Sequence, residues 1–232
     1  MPRTFFGNDI NEIKLLCDEF MNCYSRSTLL TAIDSFKWGK NSEDSKKERE
    51  EVTHKFKLWL SNGKPIVEAQ AHADLVMEWG FNGQKSPKSL SENLAEFCNF
   101  IKTWEKKDSA SDMKNLLVRN LQLKGIGIAR SSKWLCFINP EELCIYDSRV
   151  SVTLRTLGKG KGKTFPTVGR KKTNRTSDFP NPNFRKPEKM AEDYCKFLDL
   201  VDAIKLEYQI DSASKIEMGL FMLGDNPNIW RK

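Results

Sequence analysis

Asp147 heads the stretch Asp147-Ser148-Arg149-Val150, and the apolar positions that follow it, Val150, Leu154 and Leu157, have helical spacing. An aspartate at a helix start has two readings. In one it is a plain N-cap, accepting backbone N–H groups. In the other, a carboxylate fixed in that way keeps one oxygen free for chemistry: it can stabilise a carbon centre that becomes cationic, or orient and deprotonate a water. Upstream, Lys124-Gly125-Ile126-Gly127-Ile128-Ala129-Arg130 places two glycines between apolar helical stretches, with Met113, Leu116, Leu117 and Leu121 before them and Ile128, Leu135 and Cys136 after. The spacing predicts helix, hairpin, helix, with both glycines in backbone conformations that disfavour a Cβ. Glycines at a helix start bare free N–H groups at its positive end, where a phosphate oxygen can approach. Gly125 and Gly127 are thus candidate phosphate contacts, blind to base sequence, with Lys124, Arg130 and Lys133 as cations beside them. An ordinary helical hairpin with solvated Lys and Arg is the plainer alternative.

The distance from this hairpin to Asp147 narrows the choice. An apolar helix, an Asn139-Pro140 break and Leu143-Cys144-Ile145-Tyr146 lead from one to the other. The pattern over residues 113 to 157 resembles the helix-hairpin-helix DNA glycosylases, in particular the 8-oxoguanine DNA glycosylase-like branch, in which such a hairpin precedes a catalytic aspartate by this distance. The resemblance implies that Asp147 is catalytic, that the hairpin residues Lys124, Gly125, Gly127, Ala129 and Arg130 lie against DNA, and that Arg149 reaches a phosphate beside the extruded nucleotide. The chain departs from the pattern twice. Lys124 replaces a proline common before the first glycine, and Ala129 stands where bifunctional members carry a Schiff-base lysine. An alanine cannot attack a sugar carbon, so the resemblance implies a monofunctional enzyme that uses water and leaves an abasic site. Lys133, one turn further on, is a candidate for a displaced lysine, with a phosphate contact or a solvated face as the plainer reading.

The positioning elements read as helices throughout. Ile13, Leu16, Cys17, Phe20 and Tyr24 make one stripe, and Leu29, Leu30, Ile33 and Phe36 a second that ends at Trp38. The charges from Lys46 to Glu51 read as a solvated first turn before Val52, Phe56 and Trp59. A further helix follows Pro65. Ser89 and Glu92 have capping-box spacing at the head of one long helix from Leu90 to Trp104. No sustained alternation argues for a sheet. The expected fold is all-α: two helical lobes, a helix-hairpin-helix motif at 112–138, and an active-site cleft between the lobes. As the resemblance implies, residues 1–40 and 188–232 form one lobe and 41–157 the other. Between them, 158–187 is a basic insertion without helical or strand period, in which Lys171 and Lys172 would clamp DNA and Phe165, Phe179 or Phe184 could stack or wedge. By resemblance, Trp38, Phe221 and Met222 are candidates for the base pocket, although such side chains are more often core.

Bulk properties agree with a polyanion partner. The 232-residue chain has a formal net charge of +7 and a pI near 9.0, which attracts nucleic acid or an acidic membrane surface. No apolar run reaches membrane-span length and no signal-peptide core is visible, so an intracellular, cytoplasmic protein is expected. Six scattered cysteines without C-x-x-C spacing read as buried thiols, and with only two histidines no metal site is expected. No cofactor is expected beyond a monovalent cation, which the family's hairpins often hold on backbone carbonyls. Double-stranded DNA is the expected partner of a monomer. The substrate would be an oxidised or alkylated base in repair, or a modified base of phage DNA in defence. The alternatives are a non-catalytic helix-hairpin-helix DNA grip, against which an acid at Asp147 argues, and an RNA-binding adaptor, suggested by the basic loop.

Overall fold

The structure is a computed structural model that describes residues 4–38, 42–107, 109–160, 163–168 and 186–225. Among the described residues it contains eleven helices and no strand. Local signals set most boundaries. Helix α1 (Ile10–Cys23) starts where the Asp9 side chain accepts from Asn11 N, and α2 (Arg26–Asp34) where that of Ser25 accepts from Thr28 N. Helices α3 (Ser42–Ser61) and α4 (Ile66–Gly80) follow, α4 entered through Pro65. Next come the one-turn α5 (Lys88–Ser91), then α6 (Leu94–Lys106), which stops at Lys107 in a left-handed conformation. Helices α7 (Ala110–Gln122) and α8 (Ile128–Ile138) flank the hairpin, and α9 (Ser148–Leu154) follows Asp147. Two C-terminal helices, α10 (Pro187–Tyr208) and α11 (Ala213–Asp225), complete the described chain.

The N-terminal and C-terminal helices pack together, α1 on α10 and α2 on α11, while α3, α4, α6 and α8 pack among themselves. Contacts of α10 with α7 and α8 join the two groups, α9 packs on α11, and the buried apolar side chains form one continuous cluster. At Gly224 the approach of α11 to α9 is so close that a Cβ would overlap the Arg149 carbonyl oxygen. Trp59, Trp104 and Trp134 are fully buried, each large side chain contributing on the order of 1.5–3 kcal/mol through burial.

Three expectations are corrected. The long helix from Leu90 is broken at Glu92-Asn93, because Ser89 does not cap it: the Ser89 hydroxyl donates 2.6 Å to the Lys124 carbonyl and so braces the hairpin instead. The charged run is not wholly solvated, since α3 begins at Ser42 and turns Ser45 and Arg49 inward, Arg49 only 5% exposed. Phe165 is no wedge. It is fully buried, and its segment is pinned by Tyr146 Oη donating to Pro166 O (2.7 Å) and Val168 N donating to Ser151 Oγ (2.9 Å). Lys171, Lys172, Phe179 and Phe184 lie outside the described residues.

Candidate active site

The hairpin is built as a tight turn between α7 and α8. Gly125 has φ +83°, a left-handed conformation that strains other residues, and Ile126 N closes the turn on Leu123 O at 3.0 Å. Gly127 differs from expectation: its φ is −113°, open to any residue, and a Cβ there would meet nothing within 4 Å. It is the N-cap of α8, and no side chain caps the first turn of that helix. Lys124, Gly125 and Gly127 are exposed and Ala129 half-buried. Arg130 folds back over the turn, with Nη1 donating to Gly125 O and the guanidinium 5.0 Å from the Phe81 ring centre. Burial lowers its pKa. The carbonyls of Leu123, Lys124 and Gly125 each accept a protein hydrogen bond. Among the described residues no group of three or more His, Cys, Asp or Glu could hold a metal ion.

Asp147 is held at both ends of its carboxylate. Oδ1 accepts from Arg149 N (3.0 Å) and Val150 N (3.2 Å) as the N-cap of α9. Oδ2 faces Lys133 Nζ at 3.6 Å. The preceding chain is tied to α8 by Tyr146 N donating to Ser132 Oγ at 3.0 Å, which brings Asp147 beside Lys133. Lys133 is neither a phosphate contact nor part of a solvated face. It is only 3% exposed, because α8 turns inward throughout. Its ammonium lies 5.6 Å from the centre of the Trp38 ring, 5.7 Å from Trp79 and 5.2 Å from Phe81. Such cation–π contacts contribute up to about 2 kcal/mol when desolvated. Its stem fills the space left by Gly80, where a Cβ would overlap Lys133 Cδ.

Aromatic side chains from distant elements wall the same place. Trp38 is fixed by Nε1 donating to Trp79 O (2.9 Å) and packs edge-on against Phe221, 5.3 Å between centroids. Arg149 lies over both rings, 5.2 Å from Trp38 and 4.6 Å from Phe221, with Nε bonded to Asp225 Oδ1 at 2.6 Å. In this state its guanidinium covers the aromatic wall. Met222 is buried next to Phe221 in α11. Thus Trp38 and Asp147 flank Lys133, Phe221 and Arg149 pack on Trp38, and the hairpin glycines are exposed on the surface.

Sequence reasoning missed a second ionic pair behind this wall. Arg49 Nη2 donates to Glu217 Oε2 at 2.5 Å and to Cys136 Sγ at 3.1 Å, and its guanidinium carbon lies 5.6 Å from the Trp79 ring centre and 5.8 Å from that of Phe36. Burial acts to lower the Arg49 pKa, but Glu217 and Cys136 outweigh it and raise it. Burial raises the Glu217 carboxyl, Arg49 opposing and Asp147 adding to the rise, so the two pairs sense each other. The clue was thin: Arg49 precedes Val52 and Phe56 at helical spacing, and Glu217 sits in an apolar helix.

A separate cavity of about 900 Å³, lined in part by Phe5, Phe6, Trp104, Leu198 and Asp199, includes none of the expected site residues. Among the described residues no helix is long and apolar enough to cross a membrane. No curated protein and no solved structure matches the chain. One family model, described as "Putative 8-oxoguanine DNA glycosylase OGG-like protein", matches residues 75–221, a span that includes the hairpin, Lys133, Asp147, Arg149 and Glu217. With more than half its length matched, the chain belongs to this OGG-like family of DNA glycosylases.

Proposed function

We propose that this chain extrudes one nucleotide from duplex DNA and cleaves its N-glycosidic bond with Asp147 and Lys133 acting together. The observation that carries the reading is the buried pair itself: an ammonium 3.6 Å from a carboxylate oxygen, enclosed by Trp38, Trp79 and Phe81. Burying a lysine without a hydrogen-bonded counter-ion costs stability, which favours a functional reading of the group over a structural one. Extrusion is required because the anomeric carbon is unreachable in the stack. The two glycines grip phosphate, Trp38 and Phe221 offer apolar faces to the base once Arg149 swings aside, and the two groups of helices act as lobes with the site between them.

The chemistry follows from the pair. As the bond to the base lengthens, C1′ gains positive charge, which the Asp147 carboxylate stabilises in a water-poor setting. Lys133 gives up a proton, which the departing base takes, and its Nζ forms a bond to C1′. Sugar-ring opening, with a nitrogen proton passing to the ring oxygen, leaves a protonated imine. Loss of a C2′ proton then expels the 3′ phosphate and breaks the strand. A second reading keeps water as the nucleophile, with Lys133 only fixing Asp147; the half-buried Ala129 at the family's lysine position favours it. Either chemistry serves repair of an oxidised or alkylated base, or attack on a modified base of phage DNA.

The test incubates the protein with duplexes carrying oxidised, alkylated, deaminated and phage-type bases, scoring base release by mass spectrometry, strand cleavage before and after alkali, and borohydride trapping. We expect release with a trapped adduct on Lys133 that Lys133→Ala removes. Release with cleavage only after alkali and no adduct would establish the water reading. Binding without release from any duplex would reduce the protein to a DNA grip.

A further inference from the structure

One side chain of the wall around Lys133, and one packed behind it, carry buried hydrogen-bond donors without a partner among the described residues. Of the five tryptophans among the described residues, four donate their indole N–H: Trp38 to Trp79 O, Trp59 to Pro65 O, Trp104 to Met113 O and Trp134 to Ala73 O. Trp79 does not. Its Nε1 is buried and has no partner among the described residues, and the same is true of Arg49 Nη1. The two side chains touch, the Arg49 guanidinium carbon lying 5.6 Å from the Trp79 ring centre. Trp79 also contacts Lys133 on one side and Trp38 on another. Leaving a buried donor unsatisfied costs about 1–3 kcal/mol, and more for a charged group. Two such donors in adjoining side chains, beside the reactive pair, suit a site whose missing partner arrives with a ligand.

We propose that Arg49 Nη1 and Trp79 Nε1 are specificity-determining donors that read a carbonyl oxygen on the extruded base. The inference rests on the glycosylase reading and extends it to the class of base. An amino group placed there would set donor against donor and leave both buried N–H groups unpaired. Rejection by unpaired buried polar groups discriminates far more sharply than a difference in apolar size. Glu217 fixes the orientation: it takes Arg49 Nη2 and leaves Nη1 to the ligand. Glu217 is here a positioning residue.

The experiment compares wild type with Trp79→Phe, which keeps a ring and loses only the indole N–H, and with Arg49→Lys, which keeps the charge opposite Glu217. Binding of the free bases hypoxanthine and adenine, and of uracil and cytosine, is measured by calorimetry; each pair differs by a carbonyl against an amino group. Discrimination in base release is measured on duplexes that carry the same pairs. Wild type should prefer the carbonyl member, with the preference reduced about 3- to 10-fold in Trp79→Phe and about 10-fold or more in Arg49→Lys. Affinity for a duplex with a stable abasic analogue should stay unchanged. No carbonyl preference in wild type, or a preference equal in all three proteins, overturns the proposal. Absence of base release from every duplex, with the free-base preference intact and variant-sensitive, would instead overturn the glycosylase reading and leave a base-binding pocket.

Discussion

Two buried ion pairs adjoin Trp79, and they are built differently. Arg49 and Glu217 meet at 2.5 Å, with Cys136 Sγ accepting from the same guanidinium nitrogen. Lys133 and Asp147 stand at 3.6 Å, beyond hydrogen-bonding distance, with aromatic faces around the ammonium and two backbone N–H groups on the other carboxylate oxygen. A tight pair stabilises both charges and holds its neighbours in place. A loose pair leaves an amine and a carboxylate oxygen able to engage a third group. The contrast assigns rigidity to the first pair and chemistry to the second, and it can be broken by experiment.

The largest effect is expected from Asp147→Asn. Base release should fall by about 10²- to 10⁴-fold, with duplex affinity nearly unchanged because the amide oxygen can still accept at the N-cap. Release at the wild-type rate would remove Asp147 from the chemistry. Next, Glu217→Ala strands the Arg49 charge in the core and should cost about 3–5 kcal/mol in denaturant unfolding. A loss below about 1 kcal/mol would mean that the tight pair is not what holds this region.

Gly80→Ala sharpens the contrast without altering a charge, since its Cβ would overlap the Lys133 stem and push the ammonium from its place. Borohydride trapping should drop by roughly 10²-fold for a displacement of about an ångström, while Arg49 and Glu217 stay untouched. Equal trapping would show that the lysine position is not critical. The smallest effect belongs to Gly127→Ala. Duplex affinity should weaken a few-fold because a methyl group enters the phosphate approach, and unfolding should shift by only about 1 kcal/mol or less. A fold-destabilising result would contradict the open space found there.

The hairpin and Asp147 were legible because their signals are local. Glycine spacing, an apolar stripe on each side and an acid before Val150 each depend on residues within a turn or two. The capping-box expectation at Ser89 failed for the opposite reason: the hydroxyl found a better partner in the Lys124 carbonyl, remote in sequence. Lys133, Arg49 and Glu217 were misread or missed because a charged side chain in a helix is, by type alone, a surface residue. Nothing near them in sequence announces the company that buries them.

The sequence by itself determined the helices, the turn between α7 and α8, and the acid at a helix start, since periodicity, capping and glycine conformation are short-range properties. Only the tertiary structure decided that Lys133 faces Asp147 inside a box made by Trp38, Trp79 and Phe81, and that Arg49 and Trp79 keep unpaired donors beside it. The desolvation of a charge depends on every element packed around it, and those elements come from α3, α4, α8, α11 and the Trp38 segment, which adjoin only in the folded chain.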